Sequence, residues 1–153
     1  MLSKEILKQN PDIIIRKAQT KDIPQLVRLY SNVHEIIDYS NQKHDKKYFL
    51  NCLRSNTLRI IIAEIEKKIC GATVAEFEEI MKYTYWSKIV VSPKCRGQGI
   101  GSLLMKAVEQ ESRERHIKRI FGLVYDWNKN MQKIMKHNKF KSQGKTIVYS
   151  KEL

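Results

Sequence analysis

"SPKCRGQGIGSLL", Ser92 to Leu104, holds three of the chain's six glycines, Gly97, Gly99 and Gly101, within five positions. A chain this sparing of glycine places it where the backbone must turn left-handed or approach a ligand closely. A β-rich run ending at Val91 precedes the stretch. Beyond it, Ile100, Leu103, Leu104, Ala107 and Val108 recur at helical spacing. A glycine turn that links a strand to a helix start aims free backbone N–H groups and the positive end of the helix dipole at one point, which suits an anion. Arg96 adds a permanent charge and a forked donor array matched to phosphate, and a pyrophosphate fits such a place. A tight strand-to-helix turn with no ligand uses the same residues.

Two familiar phosphate loops are excluded by spacing. No Gly-Lys-Ser/Thr ending follows, so this is no P-loop. The order Gly97, Gly99, Gly101 is G-x-G-x-G rather than G-x-G-x-x-G, and what precedes it reads as a meander rather than the start of a βαβ unit.

The remaining sequence sets the context. At 153 residues with 42% hydrophobic content, the chain is long enough to bury one sizeable core. Runs such as "IIIA", Ile60 to Ala63, are too short to cross a bilayer, and "MLSKEILKQNPD" lacks the apolar centre of a secretory signal. A soluble, cytoplasmic protein is expected. Cys52, Cys70 and Cys95 show no paired spacing, and His34, His44, His116 and His137 match no metal signature, so neither a disulfide framework nor a metal cofactor is expected. The net charge is +13, and Lys88 to Leu153 carry fifteen basic residues against five acids. Such a surface attracts nucleic acid, an acidic protein or a phosphorylated cofactor, or is simply solvated.

No repeat or linker interrupts the chain, which predicts one domain over residues 13–153 behind an N-terminal extension at 1–12. "DIIIRKA", Asp12 to Ala18, reads as a first strand. "TKDIPQLVRLYSNVHEI" reads as an amphipathic helix with Pro24 in its first turn and Val33 on its apolar stripe. A second helix is expected near Lys46 to Arg54. Leu58 to Ile65, Lys68 to Glu78 and Tyr83 to Ser92 form an antiparallel meander. A helix from Ile100 to about His116 leads to a fifth strand, "RIFGLVYD", Arg119 to Asp126. A short helix at Asn130 to Asn138 and a last strand, "TIVYSKEL", close the chain. The helical crossover makes the fourth and fifth strands parallel, so the fold class is α/β with a mixed, mostly antiparallel central sheet flanked by helices.

"RGQGIG", Arg96 to Gly101, resembles the Q/R-x-x-G-x-G/A signature of the GNAT (GCN5-related N-acetyltransferase) superfamily. "IRKAQTKD" is similar to that family's N-terminal strand and helix start. "IVVSPKCRGQGIGSLLMKAVEQ" resembles its central strand, loop and helix, and "WNKNMQKIMKHNKF" its later asparagine-to-phenylalanine motif, with Asn128 and Phe140 as landmarks. The resemblance spans about residues 13–153. It implies that acetyl-CoA is the donor and an amine the acceptor. Main-chain groups of Ile89, Val90 and Val91 would pair with the pantetheine arm. Those of Arg96, Gly97, Gln98, Gly99, Ile100, Gly101 and Ser102 would hold the pyrophosphate, and Asn128 would contact the arm near its reactive end. N–H groups on the fourth strand would polarise the thioester carbonyl, an effect worth about 3–4 kcal/mol per donor.

Two family landmarks are replaced. Met135 stands where members often carry a tyrosine acid seven residues after the asparagine, and Lys139 stands for the glycine before Phe140. By residue type alone, Tyr125 and Tyr149 are candidates for the acid. An acceptor amine with a pKa near ~10.4 must lose a proton before attack. The family glutamate position falls near Tyr85 and Trp86, which are not carboxylates. Glu76, Glu78 and Glu79 form the densest acidic cluster in the chain and are candidates for the base or for attracting a cationic amine, with a solvated hairpin turn as their simpler role. Cys95, beside Arg96 at a helix start, is a turn thiol or a redox-active one. The leading function is therefore an acetyl-CoA-dependent N-acetyltransferase acting on a primary amine of a small molecule or protein. Its alternatives are a catalytically impaired acyl-CoA-binding module and a basic nucleic-acid-associated protein, for which no groove-reading or stacking motif is present. No membrane partner is expected, and a homodimer is compatible with a chain of this size.

Overall fold

β-rich runs separated by connections of two and four residues leave no room for crossovers, so successive strands must pair antiparallel. The computed structural model, which describes residues 12–32, 43–147 and 151, has this meander. Strands β1 (Ile14–Lys17), β2 (Leu58–Ile65), β3 (Lys68–Glu78) and β4 (Tyr83–Val91) pair in chain order, each antiparallel to its predecessor. β5 (Arg119–Phe121) joins β4 in parallel, which completes a five-stranded mixed sheet in the order β1-β2-β3-β4-β5. The α/β class and the mixed, mostly antiparallel sheet expected from the sequence are both present.

Among the described residues, four α-helices flank the sheet: α1 (Ile23–Ser31), α2 (Lys46–Arg54), α3 (Ile100–Glu114) and α4 (Lys129–His137). Pro24 sits in the first turn of α1, and the Asp45 side chain caps α2 by accepting from the Tyr48 N–H at 2.9 Å. The period-two alternation of β3 divides the core. Ala72 and Val74 face α1 and α2 together with Phe49, Ile60, Ile62 and Val90. Ala75 and Phe77 face α3 together with Trp86, Leu104 and Val108. Phe49 and Phe77 are fully buried, one on each side, and each contributes about 2–3 kcal/mol of transfer free energy.

Several boundaries differ from the sequence reading. The first strand is shorter than Asp12 to Ala18, and Val33 lies outside the described residues. β5 stops at Phe121 instead of running to Asp126, because β4 bends away and leaves nothing to pair with; Leu123, apolar but 51% exposed, gains no burial there. Thr146 and Ile147 of the expected last strand are not in a strand, and Ile147 is exposed. Tyr149 lies outside the described residues.

The first helix is fixed to the sheet by charge. Asp22, buried at its base, accepts from both terminal nitrogens of Arg16 on β1 at 2.7 and 2.9 Å and from the Gln19 N–H at 2.7 Å. Arg16 also donates to Glu64 on β2 at 2.6 Å. The Arg16 guanidinium holds the Asp22 carboxyl below the usual carboxylate range, overcoming the opposite push of burial. A folded value below the unfolded one of about 3.9 gives stability that is present above that pH and is lost as pH falls through the lowered value. We expect Asp22→Ala to lose about 2–3 kcal/mol in urea unfolding at pH 7, and the difference from wild type to shrink below pH 4. An undiminished difference at pH 3 would refute the ion-pair account.

Candidate active site

β4 and β5 touch through only three residue pairs, Tyr83 to Tyr85 against Arg119 to Phe121. Beyond them β4 continues to Val91 with β3 on one side and, among the described residues, no strand on the other. A bulge makes the divergence: Trp86 and Lys88 oppose the consecutive residues Ala75 and Val74, so Ser87 is extra and the strand bends. Thr73 brackets that bulge. Its hydroxyl accepts from the Trp86 indole N–H at 2.5 Å and donates to the Lys88 carbonyl at 2.9 Å. Gly122 begins the departure of the other strand, where an added Cβ would stand 2.9 Å from the Trp86 carbonyl oxygen. Only glycine lets the two backbones approach this closely before they part.

The open edge of β4, which carries Ile89 and Val91 at its end, leads directly into the glycine turn. The Ser92 N–H donates to the Cys70 carbonyl at 2.8 Å, a 3₁₀ turn spans Pro93–Cys95, and Arg96 Nε donates to the Val91 carbonyl at 3.3 Å. Gly97 and Gly99 have φ of 82° and 76°, and a Cβ at either would meet nothing within 4 Å. The glycines are thus required by backbone angle, and the space above them is open. Gly99 is the N-cap of α3 and has no side chain to satisfy the first-turn N–H groups. Those donors, at the positive end of a 15-residue helix, face the open space. The donor set fits a pyrophosphate. Val90 and Ile100 are buried in the two cores, so their contribution to this surface is backbone only.

α4 closes the arrangement from the far side of the cleft. Asn128 is its N-cap, with Oδ1 accepting from the Met131 N–H at 3.0 Å. Asn138, at its other end, donates to the Ser102 hydroxyl at 3.0 Å, which ties α4 to the first turn of α3. Met131, Met135 and Phe140 pack on the core under α3, and Phe140 stacks on Trp86 with ring centroids 6.2 Å apart. Met135 is therefore a packing residue with no proton to give. Lys139 has φ of 65°, so the left-handed turn that a glycine would adopt freely is kept with a lysine in place.

Of the acidic candidates, Glu76 pairs with Tyr85 in β4, next to the bulge, on the sheet face covered by α1 and α2. Glu78 accepts from the Ile80 N–H at 2.9 Å inside the hairpin turn, and Glu79 pairs with Arg115 at 2.9 Å. Tyr125 lies in the loop before α4, stacked on Trp127 at 5.2 Å, and its carbonyl accepts from the Asn128 N–H. Sequence reasoning missed Thr73, Gly122 and Asn138, which act through partners 13 to 36 residues away and leave no local signature.

An acetyltransferase (GNAT) family profile matches residues 23–140, from α1 through Phe140. The chain belongs to that family. Membership implies acetyl-CoA as the acyl donor. N-acetyltransferase YodP of Bacillus subtilis strain 168 is 27% identical over 137 residues, 90% of this chain and 49% of that protein. The chain thus spans about half the length of this relative. An uncharacterized N-acetyltransferase of Archaeoglobus fulgidus is 27% identical over 112 residues, 68% of this chain and 76% of its own length. Among solved structures, an aminoglycoside acetyltransferase from an uncultured soil metagenomic sample, in complex with trehalose, superposes with a TM-score of 0.79 at 21% identity, covering 94% of this chain and 98% of the other. AAC(6')-Iy in complex with a CoA-containing bisubstrate analog gives 0.79 at 17%, covering 92% and 99%. At such identities the likeness is one of fold.

The strain at Lys139 can be measured. Relief of a left-handed non-glycine residue is worth about 1–2 kcal/mol and the added chain entropy of glycine takes back about 0.5–1. Lys139→Gly should therefore raise stability by up to about 1 kcal/mol in thermal unfolding, and a loss would refute the assignment of strain.

Proposed function

We propose that this chain is an acetyl-CoA-dependent N-acetyltransferase that transfers an acetyl group directly to a primary amine of a small molecule or a protein. The observation that carries the reading is the continuity of the open β4 edge with an uncapped helix start across left-handed glycines. An extended ligand with an anionic middle fits that line: strand-like hydrogen bonds along Ile89 to Val91, then backbone donors from Arg96 to Ser102. Acetyl-CoA supplies the activated thioester. The chain's part is to align the pantetheine arm on β4, to receive the pyrophosphate at Gly97 to Gly101, and to aim N–H groups of the bulge at the thioester oxygen. The Asn128 amide nitrogen, whose Oδ1 is engaged in the helix cap, supplies a donor to the arm. Glu76, the acid nearest the bulge by register, accepts the acceptor's proton directly or through water.

A second reading, an acyl-CoA-binding module without turnover, is favoured by Met135, a half-buried thioether packed against the core where an acid is expected. A panel of amines with thiol release as readout separates the two, and it includes aminoglycosides because two of the solved relatives carry that activity in their names. Glu76→Gln should lower kcat/KM by about 10²-fold or more while leaving acetyl-CoA affinity unchanged. An unaltered kcat/KM would remove Glu76 from the mechanism.

Gly101 provides the test of cofactor binding. It lies in the first turn of α3, and an added Cβ would make ordinary contact with Ile89 at 3.9 Å. Gly101→Glu places a helix-favouring residue and a negative charge at the positive helix end, so thermal stability should hold or rise by about 1 kcal/mol. The same charge opposes a pyrophosphate. Calorimetric titration should give acetyl-CoA binding to wild type and at least a tenfold loss in the variant. Equal affinity in both would overturn the cradle.

A further inference from the structure

The glycine turn is anchored to β3 by a pair of cysteines that the acetyl-transfer reading does not use. Cys70 lies near the start of β3 and is 7% exposed; Cys95 closes the 3₁₀ turn one residue before Arg96 and is half-exposed. Both pack on the core under α3. The Cys70 carbonyl accepts from the Ser92 N–H at 2.8 Å and the Ser92 carbonyl accepts from the Cys95 N–H at 2.9 Å, so two successive backbone hydrogen bonds through Ser92 set Cys95 beside Cys70. Both are free thiols. Burial, with Cys95 beside it, pushes the Cys70 thiol up to about 11. Cys95 is the one that solvent reaches. The third cysteine, Cys52, is buried in α2 on the opposite face of the sheet.

We propose that Cys70 and Cys95 form an oxidisable dithiol that hydrogen peroxide, or another two-electron thiol oxidant, closes into a disulfide at the base of the glycine turn. The Cys95 thiolate attacks one peroxide oxygen, which gives a sulfenic acid and hydroxide. The Cys70 sulfur then displaces the sulfenic oxygen, which leaves with the Cys70 proton as water. Two sulfurs are oxidised by one electron each and one peroxide is reduced. Closure brings the two sulfurs to an S–S bond length of about 2.05 Å. That draws the Pro93–Cys95 turn toward β3 and pulls on Arg96 and the donors after it. A peroxide signal at this pair therefore acts on the pyrophosphate end of the site and spares the acceptor end. Bond formation is independent of the proposed function; its effect on acetyl-CoA rests on that reading.

The test uses the full chain, reduced and then treated with hydrogen peroxide. Denatured free thiols should fall from three to one, intact mass should drop by two hydrogens per chain, and non-reducing peptide mapping should join the Cys70 and Cys95 peptides. Tm should rise by about 5–10 °C and return with reductant. Cys95→Ser and Cys70→Ser should each abolish all of these, while Cys52→Ser should leave them intact. A Cys95 sulfinic acid without a crosslink, a link to Cys52 or a link between chains would each overturn the proposal. Acetyl-CoA titration of both forms follows, with affinity expected to be about tenfold weaker when oxidised, the equivalent of one charge-assisted hydrogen bond. If the crosslink forms and reduced protein does not bind acetyl-CoA, the cradle fails and the dithiol stands. Equal affinity in the two forms would overturn the claim that closure acts on the site.

Discussion

Thr73 holds both shoulders of the β4 bulge, accepting from the Trp86 indole and donating to the Lys88 carbonyl, and the shape of the candidate site depends on that bracket. A bulge by itself is a soft feature that a strand can shed by shifting register. Here a fully buried hydroxyl fixes it, because any slip would leave an indole N–H or a carbonyl unsatisfied in the core, at a cost of about 1–3 kcal/mol each. With the bulge fixed, β4 must leave β5 after three pairs, and the cleft between them follows from geometry. Phe121, tilted against Tyr83 and Tyr85 at 5.2 and 5.3 Å, holds the strands together at the paired end. The Trp86–Phe140 stack ties the divergent end to the segment after α4.

Sequence periodicity revealed most of the frame, because burial on one face imposes it. The meander β2 to β4 and helix α2 fall where alternation and apolar spacing put them, and the glycine turn announces itself by composition. Two kinds of feature escaped. "RIFGLVYD" has every local mark of a strand, but strand formation needs a partner edge, and β4's bulge removes it after Phe121. The hydrogen bonds that shape the site, Thr73 to Trp86 and Asn138 to Ser102, join residues whose types are unremarkable where they stand. Lys139 shows the reverse. The glycine of the family pattern is absent, yet the backbone keeps φ of 65° and the lysine bears the strain.

The charge balance reads differently once the ion pairs are known. Glu111, buried on α3, meets Lys17 at 3.2 Å, Arg59 at 3.4 Å and Arg115 at 2.9 Å, and Arg115 continues to Glu79. A carboxylate buried among three cations is compensated many times over, and the guanidiniums are held there by geometry and by the Phe77 ring under Arg115. Part of the +13 therefore belongs to the architecture of the α3 face.

The loss of a tyrosine at Met135 weighs less than the identity of a base. A thiol of ordinary type ionises near ~8.5, so its thiolate departs at physiological pH with little help from an acid. An acceptor amine near ~10.4 is protonated several hundred to several thousand times more often than not at pH 7 to 8, and that deficit of about 3–5 kcal/mol falls on the entering side. The chemistry demands more from whatever removes the acceptor's proton than from whatever meets the leaving sulfur. A fold that fills position 135 with a thioether, half-buried against the core under α3, gives up the cheaper of the two functions. In the proposed mechanism the costlier one falls to Glu76, whose register sets it beside the bulge.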